Sequence, residues 1–491
     1  MLSHRQLRRW GLTGSASRCW LALRSPTGVL CLLGLGSELV YLFAFTLRFP
    51  LPQLYSSLTD LPEQTGYSYW GAAEYSLAVV ALFALYAASL RHIGRAPSLK
   101  TGPVCAFACA FGLTVVFLYP IGAVDMYAYL MLSRIWIQHG ANPLVVPPAS
   151  FPDDPLIAYV RSWLRIPSPY GPVWIFLGAL PGLVAGRNLL AGMLLLKGVT
   201  LFSYLGCLPL IMTILSKVCP QARTKGLLFF AWNPLVVIEA VGNGHNDMTM
   251  MFFALLAVAL ALSHWRVLAP AALALSVAIK YAAAILVPFL LWHVLVTGGN
   301  VRERARLLVG AGGLAAVILV ACYAPFWAGW DIFSVLKWRN SVFFGSPGIL
   351  LLGAMQQLFP TNGFDLTLYA LRLAFAAICI LSLISLWRRP VAWLELACEL
   401  TFAAMFSITY FNTWFLIWPL ALAAATPDNG RLWRLVIFSF TGLMTLVFYG
   451  YVWVWTGWDS YSICYLAVPL TFLPPALMAM RRRPGFRWLG A

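Results

Sequence analysis

Apolar residues in this chain do not alternate with polar ones; they run. Fourteen stretches, beginning with 28–48, 71–90 and 103–123 and ending with 435–456 and 461–480, are apolar almost without interruption. A run of about 20 such residues crosses a hydrocarbon core as an α-helix, the open form in which every backbone polar group is satisfied inside lipid. The pattern predicts an all-α polytopic membrane protein with about 13–14 transmembrane helices, forming a single integral membrane unit over 1–491. The run at 29–47 is too long for a cleaved signal segment, so it reads as an uncleaved first helix.

Composition supports this reading. At 61% hydrophobic and 10% charged over 491 residues, the chain lacks the charge a water-facing surface needs. The net charge of +17 does not indicate nucleic acid, because the basic residues fall in short clusters between apolar runs rather than along one helix face. The ten cysteines are scattered and form no C-x-x-C pair.

A short run at 172–186, studded with Gly and Pro, decides the topology. If it does not cross, the basic clusters all fall on one side. They are Arg5/Arg8/Arg9/Arg18/Arg24, Arg91/Arg95/Lys100, Lys217/Arg223/Lys225, Arg302/Arg304/Arg306, Arg388/Arg389, Arg431/Arg434 and Arg481–Arg483. This segment therefore reads as re-entrant, with both termini cytoplasmic. Two long loops, 124–171 and 328–366, then lie on the outer face with most of the acidic residues, which places function there.

Several polar constellations interrupt the apolar pattern. Asp125 follows a span and opens a stretch with Tyr129, Leu132 and Trp136 at helical spacing, which predicts an amphipathic helix lying at the outer interface. Asp125 fits an N-cap, or a carboxylate held at the surface as a general base. Asp153–Asp154 fit a cap for a helix starting at Pro155, and Ser168-Pro169-Tyr170-Gly171-Pro172 a rigid turn. In Gly242-Asn243-Gly244-His245-Asn246-Asp247, turn and cap chemistry explain the glycines and one of Asn246/Asp247. They do not explain His245, Glu239 or Asn233, and Asn233-Pro234 suggests a broken helix lining a cavity. Lys280 stands alone in an apolar run, where it snorkels or finds an anion such as phosphate. Lys337 and Arg339 alternate with aromatics in the second long loop and fit either solvated charge or a grip on phosphate or sugar.

Carboxylates, a histidine and cations beside a membrane cavity suit glycosyl transfer from a lipid-linked sugar phosphate. The acceptor hydroxyl needs a base, the phosphate leaving group needs cations, and a single displacement inverts the anomeric centre. No Gly-rich nucleotide loop is present, so no nucleotide cofactor is expected. No metal ligands are assigned, and a divalent metal requirement stays open.

These motifs, in this order, resemble the GT-C superfamily of polytopic glycosyltransferases, and most closely bacterial polyprenyl-phosphate-mannose-dependent α-(1→6)-mannosyltransferases. The resemblance rests on Asp125-x-Tyr127-x-Tyr129, Gly140-x-Asn142-Pro143, the Ser168–Pro172 turn, Trp232-Asn233-Pro234-Leu235, the Gly242–Asp247 turn and Lys280. It implies Asp125 as catalytic base with His245 beside the reacting sugar phosphate. Tyr127, Tyr129, Asn142, Tyr170, Asn243, Asp247, Lys280, Lys337 and Arg339 are then expected to bind substrate. It also implies a polyprenyl-phosphate sugar donor, most naturally mannose, and a glycan or glycolipid acceptor outside the cytoplasmic membrane. Leu144 stands where relatives often carry Tyr after Asn-Pro. The rival reading, a lipid-linked sugar flippase or secondary transporter, expects charges near the midplane and repeated halves; no repeat is visible here.

Overall fold

A computed structural model describes residues 25–481 apart from 97, 98, 123, 124, 298 and 340. The Lys337 side chain, the arginines before Ser25 and those after Arg481 lie outside the described residues. The described chain is helical from end to end, with only isolated β-bridges, such as Pro50 to Leu118 and Phe344 to Tyr410.

Among the described residues, seven helices are long and apolar enough to cross a membrane, including α1 (Tyr69–Arg95) and α4 (Leu189–Val218). A further apolar pair, Pro220–Ala231 and Val236–Gly242, is bent by 56° at the Asn233-Pro234 break, the shape of a broken span or a re-entrant loop. Other apolar runs form helices of 10–17 residues. The number of runs therefore exceeds the number of full-length helices, because hydropathy does not register where backbone geometry interrupts a run. Lys280, for example, is extended (φ −149°, ψ 122°) and splits its run in two.

Four shorter helices position the site: α2 (Asp125–Ile137), α3 (Pro172–Ala185), α5 (Asp247–Ala261) and α6 (Ala269–Val277). The interfacial helix expected at Asp125 exists as α2, but it is not amphipathic in its surroundings. Every residue from Asp125 to Ile135 is buried, because α3, α4 and the 155–163 loop enclose it. At 14 residues α3 is about 21 Å long, short of the ~30 Å hydrocarbon core. It lies between α2 and α4.

Three basic clusters meet at one end of the bundle. Thr224 donates to the Leu99 carbonyl (2.8 Å), Lys225 reaches Asn429, and the Arg91 guanidinium lies over the Trp433 ring (5.2 Å). Arg431 and Arg434, expected as exposed anchors, are buried. They hold the two oxygens of Glu399 at 3.0 and 2.9 Å. An ion pair on the neighbouring helix Trp393–Ala404 explains how they leave water.

Asn233 is also placed differently from the expectation. Its amide nitrogen donates to Ser439 (3.2 Å), its oxygen accepts from Leu235 N–H (3.0 Å), and it is fully buried. It closes the bend rather than lining a cavity.

Candidate active site

The site assembles where the turn 242–247 meets the start of α2. Gly244 makes this contact, with φ +73°, where a side chain is strained. A Cβ there would also come within 2.7 Å of Met126 Sδ. The segment before the turn, Val236–Gly242, is π-helical, which displaces Glu239 and Gly242 from ordinary helical positions.

Asp125 is the first residue of α2. One carboxylate oxygen accepts from the Trp163 indole N–H (3.1 Å), and the other faces His245 Nδ1 at 3.7 Å. The imidazole is fully buried and stacks on Trp414, centroids 3.8 Å apart and planes within 15°. Its other nitrogen faces Glu239 at 3.3 Å. Glu239 in turn accepts from the Asn243 amide (2.8 Å), and Asn243 Oδ1 accepts from the backbone N–H groups of Ile121 and Gly122 (2.9 and 3.3 Å). Asn243 thus joins the turn to the strand of chain leading into Asp125.

A second cluster adjoins the first. Asp247 begins α5, and Lys280 Nζ lies 2.8 Å from both its oxygens. Trp418 also donates to Asp247. The Lys280 ammonium faces the rings of Phe415, Trp418 and Tyr170 at 4.6, 5.6 and 5.9 Å. Tyr170 closes the gap between the clusters. Burial pushes its phenol well above the usual tyrosine range, and the Asp125 charge adds to this while Arg339 opposes it.

Residues 36–296, more than half of the chain, match the family described as "Alpha-(1->6)-mannopyranosyltransferase, N-terminal domain". The chain belongs to the alpha-(1->6)-mannopyranosyltransferase family. Alpha-(1->6)-mannopyranosyltransferase A of Mycobacterium tuberculosis is 26% identical over 69% of this chain and 70% of its own length. The protein of the same name from Corynebacterium glutamicum is 28% identical over 37% of each chain. Among solved structures, the Archaeoglobus fulgidus oligosaccharyltransferase aligns with a TM-score of 0.39 at 13% identity, covering 77% of this chain and 52% of that one.

Family membership makes this chain a membrane glycosyltransferase, in agreement with the family its motifs resemble. The matched region contains Asp125, Glu239, His245, Asp247 and Lys280. Trp414, Trp418 and Arg339 reach the same site from outside it.

Other expected site residues have structural partners in this family member. Asn142 donates to the Phe326 carbonyl (2.6 Å) and accepts from Leu144 N–H (3.0 Å), so it ties the loop in place. Tyr127 donates to the Tyr55 carbonyl (2.8 Å) and stacks on Tyr159. Tyr129 packs edge-on against Tyr170 and Trp174. Arg339 lies over the Tyr410 ring at 3.8 Å. Asn246 occupies the N-cap position of α5, but its side chain makes no capping bond.

Three residues that matter were not singled out by sequence. Lys197, fully buried in α4, donates to the carbonyls of Leu118 and Gly242 and so joins the chain on both sides of the site. Its signal, a lone lysine in an apolar run, is the one that picked out Lys280. Arg134 holds Asp154 at 2.9 Å, and His139 holds the same carboxylate at 2.8 Å. Asp154 accepts from Leu156 N–H (2.9 Å) in a turn, but no helix starts at Pro155 as expected: the helix begins at Ile157 with Leu156 at its N-cap and no side-chain cap. Arg134 also helps line a cleft of about 460 Å³ with Tyr55, Tyr159 and Arg187.

Proposed function

We propose that this enzyme transfers a mannosyl residue from a polyprenyl-phosphate donor to a hydroxyl of a glycan or glycolipid acceptor, with inversion, on the extracytoplasmic face of the cell membrane. The observation that carries the reading is Asp125: a carboxylate at a helix start, its one oxygen fixed by Trp163 and its other facing His245. Asp125 takes the acceptor hydroxyl proton as the acceptor oxygen bonds to C1. The C1–O bond to phosphate breaks, and the lipid phosphate leaves with the electron pair. Arg339, and Lys280 in its pair with Asp247, are cations beside Tyr170 and oppose the charge building on that phosphate.

The relatives' own activity, α-(1→6)-mannopyranosyl transfer by name, supports mannose and an α-(1→6) linkage. The face is supported by the basic clusters at 91–100 and 217–225. At one end α1 carries Arg91 and Arg95 and α4 carries Lys217, while Lys197, toward the other end of α4, bonds Gly242 at the site.

The test uses the full-length protein in membranes with polyprenyl-phosphate mannose. Asp125→Asn should lower transfer by about 10²–10⁴-fold with thermal stability near wild type. Wild-type turnover in that variant overturns the assignment, and a panel of lipid-phosphate sugars tests mannose directly.

A further inference from the structure

His245 lies between two carboxylates, and only one of them has a role in the reaction as read above. Nδ1 faces Asp125 at 3.7 Å and Nε2 faces Glu239 at 3.3 Å, with the imidazole itself fully buried. A neutral imidazole has one N–H, so one of its nitrogens would present a lone pair to a carboxylate oxygen. The imidazolium is attracted to both carboxylates, although neither nitrogen is in hydrogen-bond geometry with them. It also halves the net charge of the trio from −2 to −1, a large effect away from bulk water.

The surrounding cations do not compensate the trio in its place. Lys280 is paired with Asp247, and Lys197 donates to the Leu118 and Gly242 carbonyls. Trp414 on the facing segment offers an uncharged ring. From α1, Tyr75 is close enough to feel the Glu239 charge, but its hydroxyl donates to the Leu443 carbonyl (2.9 Å). Asn243 and Trp163 supply neutral donors to Glu239 and Asp125.

We propose that Glu239 is a positioning residue that holds His245 as an imidazolium, oriented so that Nδ1 faces Asp125 and keeps that carboxylate ionised and aimed. This rests on Asp125 being the base. When Asp125 takes the acceptor proton, the imidazolium stays paired with Glu239, so the proton transfer leaves no unpaired charge in the buried site. Without Glu239, the imidazole keeps one anionic neighbour, Asp125.

The experiment compares pH–rate profiles of wild type, Glu239→Gln and Glu239→Asp, using full-length protein and polyprenyl-phosphate mannose. Glu239→Gln should lower kcat at least ~10-fold with little change in KM, and its alkaline fall-off should begin at lower pH than in wild type. Glu239→Asp keeps the charge and should restore the alkaline limb. Uniformly reduced activity with the limb unmoved overturns the proposal, since that is what a packing defect produces. If Glu239→Gln does not fold, Glu239→Asp and His245→Gln singly and combined give a second measurement. The effect of Glu239→Asp on kcat should disappear in the His245→Gln background, and additive effects overturn the proposal. An inactive wild type would instead refute the donor assignment, so the two failures are distinguishable.

Discussion

Lys280 and Asp247 form a closed pair: the ammonium is 2.8 Å from both carboxylate oxygens, and the Asp247 side chain is fully buried. The anion that an isolated membrane lysine calls for is supplied by the protein itself. Removing one partner leaves the other charge buried, which costs about 3–5 kcal/mol. Asp247→Asn should therefore destabilise strongly, while Asp247→Asn with Lys280→Met should recover much of the loss. Melting temperatures of the four proteins in detergent form the double-mutant cycle; additive losses would show that the two side chains are not coupled.

Gly171 is needed for space, not conformation. Its φ is −76°, open to any residue, but a Cβ would stand 2.2 Å from the Ala278 carbonyl oxygen. At this contact the Gly171 and Val173 N–H groups bond to Ile279 and Ala278 (3.0 Å each), seating the Tyr170 turn beside Lys280. Gly171→Ala should cost about 1–3 kcal/mol and reduce turnover as the turn lifts. Gly198→Ala is the control, since a Cβ there meets nothing within 4 Å; it should be neutral or slightly stabilising.

Which residues are expensive to bury is legible in the sequence; which partner each one finds is not. Asp125, His245 and Lys280 stand out because lipid and core have no use for unpaired polar groups. The structure brings Asp125 to His245 across 120 residues of chain, and Tyr170 to Lys280 across 110. Glu239 was conspicuous for the same reason, but its place beside His245 depends on the π-helical turn, which hydropathy does not encode. Arg431 and Arg434 read as membrane anchors because a basic cluster has the same pattern whether or not Glu399 waits on a neighbouring helix. Helix count was blurred similarly, since Lys280 and Asn233 break the backbone within apolar runs.

Asp154 should give the fold an acid-sensitive element. Burial alone would raise its carboxyl, but hydrogen bonds from Arg134, Leu156 N–H and His139, with the Arg134 charge, bring it below the ordinary aspartate value of 3.8. A carboxyl lowered in the folded state adds stability above its unfolded value, and this is lost as pH falls through the folded value. Wild type should therefore be more stable than Asp154→Asn at pH 7, with the gap in melting temperature narrowing below about pH 4. A gap that stays constant between pH 7 and pH 3 would mean that the ionised pair contributes nothing.

Lys197 tests whether the two walls of the site must be held together. Its ammonium bonds the carbonyls of Leu118, seven residues before Asp125, and Gly242, three before His245. It is fully buried, and no carboxylate pairs with it among the described residues. Lys197→Met keeps similar volume and removes a buried polar head that has no carboxylate partner among the described residues, a gain that offsets the ~1–3 kcal/mol lost by leaving two carbonyls unsatisfied. Stability should therefore change little. The Asp125–His245 distance would then depend on the Asn243 bonds to Ile121 and Gly122 and on the packing of Gly244 against Met126. A displacement near 1 Å at a reacting group lowers rate by up to ~10²-fold, so turnover should fall at least tenfold while the melting temperature stays within a few degrees. Wild-type turnover in Lys197→Met would show that the Asn243 bonds and the Gly244 packing suffice to fix the site, and the Asn243→Ala variant would then carry the larger loss.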